Sequence, residues 1–315
     1  MPSNFLPFAG NTSVGQRTAH GTWLPPGSRV AAYVGPQSES TDAYSSSSLL
    51  VATLDAGLAR CRAGKGDVVA VLPGHTENFA TADACPSLVA GTQIIGCAPF
   101  GSGLMPTFTF TGTAATFLLD QNNVTLSGLK FACGIDAVVS YVTATGTGCY
   151  LSNNIFNLGT ASTNDAGTGL IIGNGASDLT LEGNRFIGTS TAVHTACITA
   201  SGTGLDNLRL IGNEFFASCA TTGLVNVTGT GINILVTRNT FFNRTGTTPQ
   251  GIRFTDTALE ALVNWNEFAF LTGITTTTGA ITVVAATTSE IRTSNNYGVD
   301  ADTVNSVVCG TGTAT

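Results

Sequence analysis

One short phrase returns six times in this chain: an asparagine, any residue, then an aromatic. The copies are Asn154-Ile155-Phe156, Asn184-Arg185-Phe186, Asn213-Glu214-Phe215, Asn239-Thr240-Phe241, Asn266-Glu267-Phe268 and Asn295-Asn296-Tyr297. An earlier copy, Leu129-Lys130-Phe131, keeps the aromatic without the asparagine. From Phe131 onward the aromatics lie 25, 30, 29, 26, 27 and 29 residues apart. A period in this range marks a stacked array, whose repeats are too small to bury an apolar face alone. Each copy follows a β-like run, such as Val124-Thr125-Leu126, Leu179-Thr180-Leu181 or Leu208-Arg209-Leu210. A second run precedes it within the period, as in Gly169-Leu170-Ile171-Ile172 or Gly251-Ile252-Arg253-Phe254. Two or three short strands per period, parallel from one coil to the next, predict an all-β solenoid.

The physics of stacked coils explains the letters. Coils lie about 4.8 Å apart, joined by backbone hydrogen bonds along the axis. Inward positions are apolar and alternate with outward polar ones, as in Leu179-Thr180-Leu181-Glu182. At the corners the chain must turn sharply, and Asn or Gly is expected to take the left-handed backbone needed. The repeated asparagine is also expected to bond side chain to side chain with its counterparts. The aromatic two positions on is expected to point inward and stack, contributing about 0.5–1.5 kcal/mol per ring pair beyond area burial.

Only 10 % of the residues are charged, against about 25 % in an average soluble domain. So little charge suggests surface hidden against partners or further copies. Net charge is −7 and no Lys/Arg cluster occurs, which excludes nucleic-acid binding through a basic stripe. No apolar run reaches the length of about 18 residues that a transmembrane helix needs, so no membrane partner is expected. The N-terminal residues carry no basic-then-apolar signal, and no secretion is expected. The eight cysteines include no C-x-x-C pair and read as reduced thiols packed as small hydrophobes.

Residues 1–28, rich in Pro, Gly, Asn and Thr, read as an extended N-terminal arm. Residues 29–315 then read as one domain. Arg29 to Gly35 looks like a first strand. Leu49 to Cys61 reads as a helix, with Leu50, Leu54, Leu58 and Cys61 on one face and Ser47 or Ser48 as N-cap. Ala63-Gly64-Lys65-Gly66 stops it, and Asp67-Val68-Val69-Ala70-Val71-Leu72-Pro73-Gly74 follows. This order of helix, glycine, Asp-apolar strand and Pro-Gly resembles the opening of the pectin-lyase-like right-handed parallel β-helix family. The resemblance covers about residues 29–300 and is one of fold, because the catalytic motifs of the family's enzymes are not part of it. It implies that the helix at about 49–61 caps the first coil and that regular coils run from about 67 to 300. The polar tail from Gly298, with Val304, Val307, Val308 and Cys309, reads as a last half coil or a cap.

Candidate chemistry is sparse. His20, His75 and His194 sit in no nucleophile arrangement. No spacing suggests a metal site, and no cofactor is expected. Asp120, Asp136, Asp165, Asp178 and Asp206 fall at dissimilar coil positions and are not expected to stack. The one catalytic lead is the middle residue of the repeated phrase, an outward file of Lys130, Ile155, Arg185, Glu214, Thr240, Glu267 and Asn296. Glu214 and Glu267 lie two coils apart, or about 9.6 Å at the coil spacing. That is close to the about 6.5–9.5 Å carboxylate gap of inverting glycosidases. Trp265 is expected on the same outward face.

The order of parts also resembles β-helix proteins of tailed bacteriophages that decorate the capsid or form spikes. That resemblance implies a non-enzymatic virion protein, a capsid decoration or cement protein made in the host cytoplasm and assembled as a homotrimer. Its arm would hold the major capsid protein or another virion protein. The alternatives are a tail-spike polysaccharide depolymerase, a glycoside hydrolase using Glu214 and Glu267, and a carbohydrate-binding adhesin.

Overall fold

The computed structural model describes residues 16–17, 23–24, 29–35, 49–81, 87–161, 164–189, 194–219, 222–244, 250–256, 258–270, 280–283 and 290–300. From Val30 to Asp300 the chain winds as a right-handed parallel β-solenoid with three faces. The first face is an 11-stranded sheet that begins with Leu50–Val51, Val30–Val34, Val68–Val71 and Gln93–Gly96 and ends at Glu290–Ser294. The second face runs from Thr76–Phe79 through Ile155–Ala161, Arg185–Gly188 and Glu214–Ala217 to Tyr297–Asp300. The third comprises Phe117–Leu119, Val138–Ala144, Asn164–Ile172, Ala196–Ala200, Val225–Val227, Ile252–Phe254 and Ile281–Val283. The aromatic of each repeat therefore opens a strand of its own instead of closing the one before it. Ile155–Ala161 also meets Asn164–Ile172 antiparallel at Gly159 and Asp165, the one hairpin among the described coils.

Side-chain alternation builds the core. On the first face Ile94, Leu126, Leu151, Leu181, Leu210, Val236 and Val263 stand in one inward file, all fully buried. On the third, Leu170, Ile198, Val225 and Ile252 form another. Neighbouring files fill the space between three walls, so each coil completes the core of the coils beside it. None of the six described cysteines is in a disulfide, and Cys97, Cys149, Cys197 and Cys219 are buried. Burial pushes the thiols of Cys149 and Cys197 up, which keeps them neutral packing groups. Cys85 and Cys309 lie outside the described residues.

The capping helix is present but shorter than its sequence suggests. Leu50–Val51 is a strand, paired in parallel with Tyr33 and Val34, and the helix spans only Leu54–Leu58. The uppermost strand leaves backbone groups unpaired, and two residues of extended chain satisfy them better than another helical turn would. Thr53, not Ser47 or Ser48, is the N-cap, its hydroxyl accepting from the Ala56 amide. Glu77 rises from the second face to accept the Leu54 amide at 2.9 Å, and His75 Nε2 lies 3.1 Å from the same oxygen. Leu54, Gly57 and Leu58 are turned onto the open end of the core.

Beneath the helix sits Asp67, whose side chain is fully buried. It accepts from Arg29 at 2.6 and 3.0 Å, from the Arg62 side chain at 2.9 and 3.0 Å, and from the Arg62 amide at 2.9 Å. The Arg29 hydrogen bonds, with those of Arg62, hold its carboxyl well below the usual carboxylate range against the opposing cost of burial. A depressed pKa contributes stability above the unfolded value, about 3.9, and loses it as pH falls toward the folded one. Denaturant midpoints measured between neutral and strongly acid pH should therefore fall more steeply in the wild type than in Asp67→Asn, which starts lower at neutral pH. Equal slopes would remove Asp67 from the acid transition.

Of the expected arm, the description covers Gln16–Arg17 and Trp23–Leu24, which pair antiparallel; the rest of residues 1–28 lies outside it. The tail from 301 lies outside it too. At the lower end the inward files lose their apolar character. Thr293 lies under Val263 and Gly298 under Phe268.

Candidate functional site on the second face

Each coil turns from the first face to the second at one left-handed residue. The file is Gly128, Asn153, Gly183, Gly212, Arg238, Trp265 and Asn295, with φ between 52° and 71°. It lies one residue before Asn154, Asn184, Asn213, Asn239 and Asn266, none of which has a positive φ, whereas Asn295 is itself a member. Asn or Gly, as expected of a corner, fills five of the seven positions, but the corner stands one residue earlier than those five asparagines, and Arg238 and Trp265 also hold it. A second left-handed file, with Asn123, Gly148, Asp178, Asn207 and Asn233, marks the entry to the first-face strands.

Asn154, Asn184, Asn213, Asn239 and Asn266 are buried, and with the partly buried Asn296 they form a ladder in which every bond is made. Asn154 Nδ2 donates to Asn184 Oδ1 at 3.0 Å, Asn184 to Asn213 at 3.0 Å, Asn213 to Asn239 at 3.0 Å, Asn239 to Asn266 at 2.9 Å and Asn266 to Asn296 at 3.0 Å. The other Nδ2 hydrogen goes to a first-face carbonyl, from Leu126 for Asn154 to Val263 for Asn296. Each Oδ1 also accepts the backbone amide of the residue one coil above, beginning with Leu129. Leucine at 129 thus opens the ladder instead of interrupting it.

Two residues on, Phe131, Phe156, Phe186, Phe215, Phe241 and Phe268 stack inside, fully buried. Successive ring centroids are 5.1, 4.4, 5.0, 4.8 and 4.8 Å apart. Phe79 and Phe108 extend the file upward. The last copy is out of register by one. Asn296, not Asn295, receives the ladder from Asn266, so Tyr297 pairs with Glu267 on the outward file and is 63 % exposed. Asn296 therefore leaves the outward file in which the repeat spelling placed it.

The outward file otherwise keeps the register as read: Lys130, Ile155, Arg185, Glu214, Thr240 and Glu267, then Tyr297, with Ile155 buried between its charged neighbours. Glu214 and Glu267 are exposed and separated by the Thr240 rung. Glu214 is engaged by Arg185 at 3.0 Å, and the Arg185 guanidinium lies 5.9 Å from the Phe216 ring centre. A sugar bridging the two carboxylates would have to cross Thr240 and compete with Arg185. Trp265 is exposed, yet it belongs to the corner and not to this outward file. A bulky side chain at positive φ is costly, so Trp265→Asn should raise unfolding free energy by about 1 kcal/mol, read from the denaturant midpoint. No gain would mean that the indole packs well enough to offset the strain.

A second outward file was not legible beforehand: Ala132, Asn157, Ile187, Phe216, Phe242 and Ala269. Phe216 and Phe242 are only partly buried, their rings 5.7 Å apart. On the first face an open groove of about 530 Å³ is lined by Asn207, Arg209, Leu235, Glu260, Leu262 and Arg292, among others. It carries both charge signs, and Arg292 is already paired with Glu290.

His194 is buried with Nδ1 2.9 Å from the Ala166 carbonyl, and burial lowers its pKa. His20 lies outside the described residues. Asp136 and Asp165, expected to be unrelated, lie close enough to interact: burial, followed by Asp136, raises the Asp165 pKa. Their separation of about one period was the signal available in the sequence. No group of three or more His, Cys, Asp or Glu side chains able to hold a metal occurs among the described residues. No described helix is long and apolar enough to cross a membrane. No family model, curated protein or solved structure matches this chain.

Proposed function

We propose that this chain is a non-enzymatic structural protein of a tailed-bacteriophage virion, a capsid decoration or cement protein present in several copies. Residues 1–28 attach it to the major capsid protein or another virion protein, and the solenoid caps or projects from the shell. The observation that carries this reading is the pair of unbroken files along the second face, asparagine from Asn154 to Asn296 and phenylalanine from Phe79 to Phe268. Such files resist bending and local opening, because every coil is bonded and stacked on both sides. Little charge and buried, reduced cysteines suit a part assembled inside a host cell. Deleting residues 1–28 should leave a folded body with unchanged circular dichroism that no longer occupies purified particles. Full occupancy by the truncated body would defeat the assignment of the arm.

The Glu214 and Glu267 file, with Trp265 and Tyr297 exposed nearby, favours one second reading: a tail-spike depolymerase, or an adhesin that binds glycan without cutting it. Reducing-sugar release from host capsule separates them. Release by the wild type that vanishes in Glu214→Gln with Glu267→Gln would replace the structural reading by the hydrolase. Binding without release would favour the adhesin.

A further inference from the structure

The outward side of the second face carries its charges in a particular order. From the top, the first file reads Thr107, Lys130, Ile155, Arg185, Glu214, Thr240, Glu267 and Tyr297. Both bases precede both acids, at mirrored positions about the gap between the Arg185 and Glu214 rungs. The adjacent file reads Thr109, Ala132, Asn157, Ile187, Phe216, Phe242 and Ala269, and places its most apolar members around the same gap. Among the described residues, Lys130 and Glu267 have no ion-pair partner, whereas Arg185 and Glu214 form an ion pair with each other.

The other faces lack this order. The first-face file of Thr125, Tyr150, Thr180, Arg209, Leu235, Leu262 and Arg292 has two bases and no mirrored acid. The third-face file of Thr143, Ile171, Thr199, Asn226, Arg253 and Thr282 has a single charge.

We propose that a second copy of this chain packs antiparallel across the second face, about a twofold axis between the Arg185 and Glu214 rungs. A twofold contact is isologous: if one residue of the first copy meets another of the second, the reverse contact is made too. Lys130 then faces Glu267 of the other copy, Arg185 faces Glu214, and Ile187 faces Phe216. Both lone charges gain partners, and the partly exposed phenylalanines are covered at the centre. A face-to-face contact with the axes parallel would instead set Lys130 against Lys130, and Glu214 and Glu267 each against itself, which costs association. The Lys130 to Glu267 stretch spans about 24 Å, five coil steps of about 4.8 Å. A contact of this length on one narrow face is at the small end of stable interfaces, so the pairing is concentration-dependent. The resemblance implies three copies; the order of these charges calls for two.

The proposal rests on the self-association within the reading above and not on attachment to a particle, so it is tested on the isolated full-length chain. Sedimentation equilibrium at low salt over a concentration series should approach twice the chain mass of 32.0 kDa. Lys130→Glu and Glu267→Lys should each weaken association about tenfold or more. The double variant should regain it. Mixing the two single variants should also restore it, because every facing pair is then opposite in charge again. A wild type that stays monomeric, a trimer mass, or single variants that remain apart when mixed would each overturn the antiparallel pair.

Discussion

Asn213→Leu is expected to destabilise the solenoid by about 3–6 kcal/mol, although leucine is apolar, of similar size and placed in a core. The reason is what its neighbours lose. Asn213 Oδ1 accepts both the backbone amide and the Nδ2 of Asn184, and its own Nδ2 donates to the Leu181 carbonyl and to Asn239 Oδ1. Removing the amide orphans groups in two coils, and each buried unsatisfied group costs about 1–3 kcal/mol. Asn213→Asp should be worse still at neutral pH, since it keeps the acceptor, loses the donor and buries a charge. Denaturant unfolding measures the total. Amide hydrogen exchange locates it, with protection expected to fall first around Asn184, Asn213 and Asn239, because a solenoid's stability is carried by nearest-neighbour contacts. A loss below about 1 kcal/mol would mean that the ladder is geometric ornament and that the strands alone hold the coils.

Phe186→Ala should cost about 3–5 kcal/mol from the cavity it leaves. It also removes two stacked pairs, worth about 0.5–1.5 kcal/mol each, because the Phe186 ring lies 4.4 Å from Phe156 and 5.0 Å from Phe215. The site cannot collapse around alanine, since the rings above and below are fixed by their own strands. Phe242→Ala is the control. Its side chain is on the outward file and only partly buried, so its loss should cost far less in the single chain. If the two substitutions cost the same, the inward file is no more important to stability than the surface one.

The two expectations differ in how much of each was legible beforehand. Stacking of the phenylalanines followed from spacing alone. In a coil, a linear period becomes an axial file whatever the loops between do. The asparagine ladder was legible for the same reason, but its second supposed duty, the left-handed turn, was misassigned. That duty falls on the preceding residue, where Gly, Asn, Arg and Trp all occur. Gly and Asn mark five of its seven positions, whereas Arg238 and Trp265 are not marked by type, because there the sign of φ is set by where the chain must go next.

Register at the last coil was misread from the letters, since only Asn295 fits the phrase, with Tyr297 two residues on. The need of Asn266 for a partner below decides for Asn296 and turns Tyr297 to the surface. The helix was legible as a unit, whereas its start was not. Leu50 and Val51 suit either state, and the open edge of the first strand claims them. Glu214 and Glu267 were placed correctly on one file, but the ion pair from Arg185 depended on the coil-to-coil register.

What the sequence determined by itself was the periodic part: a parallel solenoid, its inward files, and the approximate position of the cap. Periodicity survives because each coil repeats the same bonds to its neighbours, so the information is local and redundant. Only the tertiary structure decided which residue turns each corner, where the last coil lies in register, and which surface residues come together across coils. Those depend on contacts between residues a full turn apart, whose alignment shifts with every loop that is a residue longer or shorter.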